Sequence, residues 1–343
     1  MDFTKISFPG VGIDAFNLKS VAFELGRFEV RWSAIIVAIG VLVALIYLLR
    51  HAKRAEGIKK RRTLVIALVA AVLSIVFARG AYVLGTLESI GYDSFGELVA
   101  IGDGLSFGGA LVGTMLGILI MSDVFKIRGI RVIELFLPAI IIVQIFAAIG
   151  SFMDITAYGS VIGETTNFTF LGCASEFASG EGSLFALLSV SVDEGGLVYC
   201  YHPFFLYDFL WSVIGLVLVK VAAAFRRFDG QSALVYFAWF GLGATLRAGF
   251  TLAANESACA QWMSFIIAIV AIVFFVVRLI RCYGKNIAVY GVVAEKRNFL
   301  RYMTAEEHDA KLEKDMAIVN EILETKVDEQ LEIVTAESKK TQV

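Results

Sequence analysis

The chain has 343 residues, 58% of them hydrophobic and 18% charged, with a formal net charge of −2 and a mean hydropathy of +0.77. Soluble domains carry roughly 45–50% apolar residues. The composition therefore excludes a soluble enzyme, offers no basic domain for a nucleic-acid partner, and describes an integral membrane protein.

In chain order, apolar runs predict about seven transmembrane helices, near residues 33–49, 63–86, 104–122, 133–153, 204–224, 232–253 and 261–280. Each is close to the roughly 20 residues that span a bilayer. The expected fold class is thus an all-α integral membrane protein. Residues 1–32 are mixed and polar, with no basic stretch leading into an apolar one, so no cleavable signal peptide is expected. Lys and Arg crowd the loops "RHAKRAEGIKKRR", "FKIRGIR", "AFRRFDG" and "RLIRCYGK", whereas residues 154–201 contain neither. Basic loops face the cytoplasm, which puts the N-terminus outside and the C-terminus inside.

On that topology Cys173, Cys200 and Cys259 lie outside and Cys282 inside. A disulfide between Cys173 and Cys200 would close the long outer loop 154–203, and two free thiols are the alternative. No cysteine pair has metal-ligand spacing and His51, His202 and His308 do not cluster, so neither a metal nor another cofactor is expected. Three domains follow: an outer segment 1–32, a membrane body 33–281 and a charged cytoplasmic tail 282–343. In the tail, Thr304 and Glu307 form a capping-box pattern. Leu312, Met316, Val319, Leu323, Val327, Leu331 and Val334 then recur every three or four residues. A helix over 304–337 would present one apolar stripe to a protein partner or to the membrane body, or stand solvated alone.

Charges inside spans are costly and are usually functional or paired. Arg79 in "FARGAYVLG" and Arg247 in "GATLRAGF" each rise about 16 residues from the basic side, roughly 24 Å along a helix. Two guanidinium groups at that depth could hold a phospholipid phosphate; alternatively each snorkels to the headgroups or pairs with Asp103, Asp154 or Asp208. The stretch "GDGLSFGGALVG", residues 102–113, holds five glycines. They suit either a non-helical start to the third span or a close helix crossing. Ionised Arg79, Arg247 and Asp208 would also be compatible with a transporter or channel, although no internal repeat supports one.

Taken in order, several segments resemble the prolipoprotein diacylglyceryl transferase family. "EVRWSAIIVAIG" is similar to its first-span opening and "ARGAYVL" to its Ala-Arg-x-x-Tyr-Val. "GLSFGGALVG" resembles Gly-Leu-Ser-x-His-Gly-Gly-Leu-x-Gly, and "IGSFMDITAYG" the signature Gly-Arg-x-Gly-Asn-Phe-x-Asn-x-Glu-x-x-Gly. "HPFFLYD" resembles His-Pro-x-x-Leu-Tyr-Glu, "GQSALVYFAWFGLGATLRAGF" the sixth-span frame, and "QWMS" the opening of the seventh span. The resemblance covers roughly residues 27–281. It implies a bacterial cytoplasmic-membrane enzyme that moves the diacylglyceryl group of phosphatidylglycerol to the cysteine thiol of a lipoprotein signal peptide, leaving glycerol phosphate. The partners it implies are a phospholipid and lipoprotein signal peptides.

Such chemistry needs a thiolate and positive charge on the departing phosphate. Here the family's His is Gly108, its signature Arg and Asn residues are Ala148, Ser151 and Asp154, and its Glu is Thr156. Ser33 stands for a Tyr, and Ala244 and Ala248 for an Arg and a Glu of the sixth span. Retained motif positions include Arg79, Tyr82, Gly104, Ser106, Gly109, His202 and Tyr207, with Asp208 in place of the family's Glu. The resemblance thus assigns Arg79 and Arg247 to the phosphate and His202 as a catalytic base or orienting group. Tyr82, Gly104, Ser106, Gly108, Gly109, Ser151, Asp154, Tyr207 and Asp208 shape the groove. The competing expectation is a non-catalytic member that binds phospholipid or signal peptide as an accessory protein.

Overall fold

A computed structural model describes residues 4–25, 28–56, 58–86, 96, 98, 104–154, 158–163, 165–171, 173–179, 183–194, 197–225, 227–250, 254–284, 313, 316 and 317. The long helices are α1 (Trp32–Glu56), α2 (Lys60–Thr86), α3 (Phe107–Val124), α4 (Gly129–Asp154), α5 (Phe204–Ala224), α6 (Gln231–Gly249) and α7 (Ala254–Gly284). Six contain stretches long and apolar enough to cross a membrane. The exception is α6, whose 19 residues are diluted by Gly, Thr, Gln and Arg. Leu42, Leu68, Val76, Ile272 and Phe274 stand exposed on α1, α2 and α7. Apolar surface of this extent is accounted for by lipid, not water, and the chain is a multi-pass membrane protein.

Helix α4 is the axis of the bundle, packing against α1 and α5 and, less extensively, α3 and α6. One core joins Ala44, Leu48, Ile66, Ala70, Ile118, Val132 and Phe136, and a second joins Leu111, Leu137, Ile141, Val219 and Tyr236. Glycine lets α3 reach α2: a Cβ on Gly109 would lie 2.3 Å from the Phe77 carbonyl oxygen, one on Gly113 2.3 Å from that of Leu73, and one on Gly117 2.6 Å from the Ala70 Cα. Both readings of the glycine stretch therefore hold, because Gly104, at φ +144°, lies in the non-helical lead-in and the later glycines form the crossing.

Polar segments left without structure by hydropathy fold into a sheet at one end of the bundle. Strands β1 (Thr4–Phe8), β2 (Ile13–Leu18), β5 (Tyr158–Val161), β8 (Val190–Glu194) and β9 (Leu197–Pro203) form an antiparallel sheet in the order β2-β1-β8-β9-β5. Hairpin β3 (Val21–Leu25) and β4 (Phe28–Arg31) leads into α1, and β6 (Thr165–Phe170) pairs with β7 (Cys173–Ala178). The membrane body is helical as expected; the sheet is the addition. It is seated by Ile6, Val190 and Val192 packing with Phe8, Phe152 and Phe205, the last two being on α4 and α5. Cys173 and Cys200 are free thiols, with Cys200 Sγ 3.2 Å from Ser191 Oγ. The side chains of Cys259 and Cys282 lie outside the described residues. So does the tail from 285 onward, apart from Glu313, Met316 and Ala317.

At the opposite end, buried charges tie the α3–α4 turn to the start of α6. Asp229 meets Arg128 at 3.3 Å and Arg131 at 3.5 Å, and Arg131 lies 3.8 Å from Glu134. Glu134 in turn accepts from the Ser232 N–H at 3.0 Å. Burial pushes the Asp229 carboxyl up from its ordinary range, and Arg131 and Arg128 oppose that shift.

Candidate functional site

The retained and altered motif residues gather where the bundle meets the sheet. Arg79, near the end of α2 and only 6% exposed, donates from Nε to the Leu98 carbonyl at 2.9 Å and from Nη1 to the Gly104 carbonyl at 3.1 Å. Its guanidinium also lies 5.3 Å from the Tyr82 ring centroid. A Cβ on Gly104 would sit 2.4 Å from that ring, so glycine is needed there for both the backbone angle and the approach. The Ser106 N–H donates to the Ala78 carbonyl at 3.0 Å, and the Ser106 hydroxyl accepts from the Gly109 N–H as the α3 N-cap. Arg79, Tyr82, Gly104, Ser106 and Gly109 thus form one cluster that fixes how α3 begins.

Gly108 differs from its neighbours. A Cβ there would find only Ser106 Oγ, at 3.8 Å, within contact range. Among the described residues, packing therefore leaves room for a side chain at this position. Ala148, at the signature Arg position, is buried. Ser151 donates its hydroxyl to the Ala148 carbonyl at 2.8 Å, and Ser33 donates to the Asp154 carboxylate. Gly150 brings α4 close enough to α1 for that bond, since its Cβ would lie 3.2 Å from the Ser33 Cα. Thr156 lies outside the described residues.

The third group surrounds the junction of β9 and α5. His202 is fully buried. One ring nitrogen, Nε2, lies 2.9 Å from Thr166 Oγ1, and the other, Nδ1, 3.3 Å from the Tyr207 hydroxyl. Phe185 and Phe250 flank the ring with centroids at 5.4 and 5.0 Å. Desolvation lowers the imidazole pKa to about 4, so it is neutral near pH 7 and a weak base. One turn into α5, Asp208 forms a 2.8 Å ion pair with Arg247 of α6, whose guanidinium also lies 5.2 Å from the Phe204 ring centroid. This pair is accessible: the Arg247 side chain is 48% exposed and that of Asp208 33%. Arg247 holds a carboxylate, and the hydrogen bonds described for Arg79 go to the carbonyls of Leu98 and Gly104.

Two ties at this end were not read from the sequence. Thr166, the partner of His202, lies 36 residues away on the β6–β7 hairpin, and no local spacing marks it. Gln261, inside the "QWMS" segment, donates to the carbonyls of Thr169 at 2.7 Å and Thr245 at 3.1 Å and accepts from the Leu171 N–H at 3.0 Å. It therefore binds the β6–β7 hairpin to α6 and α7. Deeper between α4, α5 and α6, a cavity of about 30 Å³ is lined by Gln144, Ser212, Tyr236 and the stacked Trp211 and Trp239. It has room for about one or two waters and no lipid chain.

The prolipoprotein diacylglyceryl transferase family model matches residues 20–277. The chain belongs to that family. It is 29% identical over 268 residues to the phosphatidylglycerol–prolipoprotein diacylglyceryl transferase of Bacillus cereus strain G9842, covering 76% of this chain and 93% of that protein. The enzyme of the same name from Listeria welshimeri is 30% identical over 66% of this chain and 76% of its own. That from Oceanobacillus iheyensis is 24% identical over 77% and 89%.

Proposed function

We propose that the chain is a divergent diacylglyceryl transferase of lipoprotein biosynthesis, acting on phosphatidylglycerol and the lipobox cysteine of a prolipoprotein. In the reaction, the cysteine sulfur forms a bond to the glycerol carbon of the diacylglyceryl group while that carbon's bond to the phosphate oxygen breaks. Glycerol phosphate leaves, and the thiol proton passes to a base. The observation that carries this reading onto the present residues is the accessible Arg247–Asp208 pair beside Tyr207. Arg247 lies three residues after Ala244, on nearly the same helix face, and can exchange a carboxylate for a phosphate, which it binds with two donors. Asp208, released from that partner, faces the same opening as the proton acceptor. His202 orients Tyr207, and Arg79 holds the α3 lead-in around the headgroup.

The assignment includes the topology. The sheet end, with the N-terminus, lies outside a bacterial cytoplasmic membrane, α6 is the sixth of seven crossings, and the basic loops and tail are cytoplasmic. The charged helix over 304–337 is the surface for a protein partner, and the domain limits are 1–32, 33–281 and 282–343.

A second reading is favoured by one observation: among the described residues Gly108 is open and uncharged, while Arg247 is neutralised by Asp208. In it the chain binds phospholipid or signal peptide as an accessory protein without transfer. Purified protein, given labelled phosphatidylglycerol and a lipobox peptide, separates the two. Thioether-linked diacylglyceryl peptide, lost on Arg247→Gln, is the expected result. A folded protein that retains lipid and peptide but forms no product would establish the accessory reading instead.

A further inference from the structure

At the end of the bundle opposite the sheet, α1 and α5 both pack on α4 and are bridged by one side-chain contact. Lys220 of α5 donates to the hydroxyl of Tyr47 on α1, with its ammonium 4.4 Å from the Tyr47 ring centroid. Tyr47 stacks in turn on His51, centroids 4.0 Å apart at 24°. The His51 Nδ1 lies 3.1 Å from the Tyr47 carbonyl; a carbonyl only accepts, so Nδ1 is the donor and Nε2 takes no part in that bond. Lys220 and His51 are exposed, and among the described residues no carboxylate lies within ion-pair distance of Lys220.

The depth of this cluster is informative. Four residues separate Lys220 from the end of α5, about 6 Å of helix, and Tyr47 lies one turn before Arg50. That is the level of the headgroup boundary, where tyrosine is enriched. Below it stand exposed Arg50, Lys59, Lys60 and Arg61. Above and beside it stand exposed Val43, Ile46, Val217 and Val221. An isolated lysine at this height would extend its chain towards the headgroups, whereas Lys220 turns sideways onto a ring of the neighbouring helix.

We propose that Lys220, Tyr47 and His51 bind the phosphate of an anionic phospholipid in the leaflet that meets the basic loops. Lys220 has three N–H donors, one of them used on Tyr47. The Tyr47 hydroxyl, having accepted from Lys220, has its own proton to donate. Cationic groups on one side and exposed aliphatic side chains on the other fit an amphiphile, so the occupant is a lipid and not free phosphate. The site is separate from the Arg247–Asp208 opening and does not depend on transfer activity.

The test uses the full chain in mild detergent, with native mass spectrometry and melting curves during titration with phosphatidylglycerol, phosphatidylcholine or inorganic phosphate. Wild type should retain one more phosphatidylglycerol than Lys220→Gln and bind that lipid about tenfold more tightly, the loss of one charge-assisted contact. Lys220→Arg should keep the lipid, and Tyr47→Phe, which preserves the ring, should weaken it. Lipid-free melting temperatures of Tyr47→Phe and wild type should agree. Equal retention by wild type, Lys220→Gln and Tyr47→Phe would overturn the proposal, as would inorganic phosphate stabilising the protein as much as phosphatidylglycerol does. Arg247→Gln should leave this lipid bound, so failure here and failure of transfer are read separately.

Discussion

Ser33 and Asp154, 121 positions apart, are joined by a side-chain hydrogen bond that ties the first turn of α1 to the last turn of α4. Ser33→Ala should destabilise the protein by about 1–3 kcal/mol, because it leaves a partly buried carboxylate short of a donor. Asp154→Asn should cost less, and the double variant should cost less than the sum of the two. Melting curves in detergent for the four proteins of this cycle measure the coupling.

Adjacent glycines of α3 should respond oppositely to substitution. Gly108→His enters open space and should leave the melting temperature unchanged or slightly raised, since glycine is a poor helix residue. Gly109→Ala puts a Cβ 2.3 Å from the backbone oxygen of Phe77 and should cost about 1–3 kcal/mol. If Gly108→His also raises transfer to a lipobox peptide, the open position is a place where a base can act.

Burial of His202 sets a pH dependence with a definite sign. Its pKa is about 4 in the folded protein against an ordinary value of 6.5, so between these values the unfolded chain binds the extra proton. Stability contributed by neutral His202 is complete above about pH 6.5 and falls as pH drops towards 4, by up to about 3 kcal/mol. Melting temperatures from pH 4 to 8 should therefore decline on the acid side in wild type and less steeply in His202→Gln. Equal slopes would show that other groups carry the acid sensitivity.

Arg79→Lys is the conservative change that should not be tolerated. A lysine ammonium cannot reproduce the fork that reaches the carbonyls of Leu98 and Gly104 together. The expected loss is about 2–4 kcal/mol, read as a lower melting temperature.

How much of this was legible in the sequence depended on the range of the interactions. Apolar runs placed each helix, with ends off by up to about seven residues at α1 and α7, because lipid on the outside makes hydrophobicity continuous along each span. The glycine stretch offered a close crossing as one of two readings, and Gly109 and Gly113 make it. The sheet was not legible: Ile6 pairs with Val192, and neither short strand carries a pattern that identifies so distant a partner. For the same reason the burial of His202, expected as a catalytic base or orienting group, could not be read in advance; Thr166, Phe185 and Phe250 enclose it. Asp208 could be named in advance as one of three possible partners of an arginine; which arginine it would meet depended on how α5 packs against α6.

The packing of α5 against α6 has a further consequence. Trp211 and Trp239 stack at 3.9 Å and 11°, and each indole N–H donates to the other residue's carbonyl, at 3.1 and 2.9 Å. Gly243 and Gly215 leave the room for the two rings. Asp208 and Arg247 lie on the same two helices, so sliding α5 past α6 would disturb the indole stack before it separated the ion pair. The chain has only four tryptophans, and two parallel indoles this close couple their excited states. The protein thus carries a built-in optical gauge of its own opening, readable as a near-ultraviolet circular dichroism band while substrate is added, with no label attached.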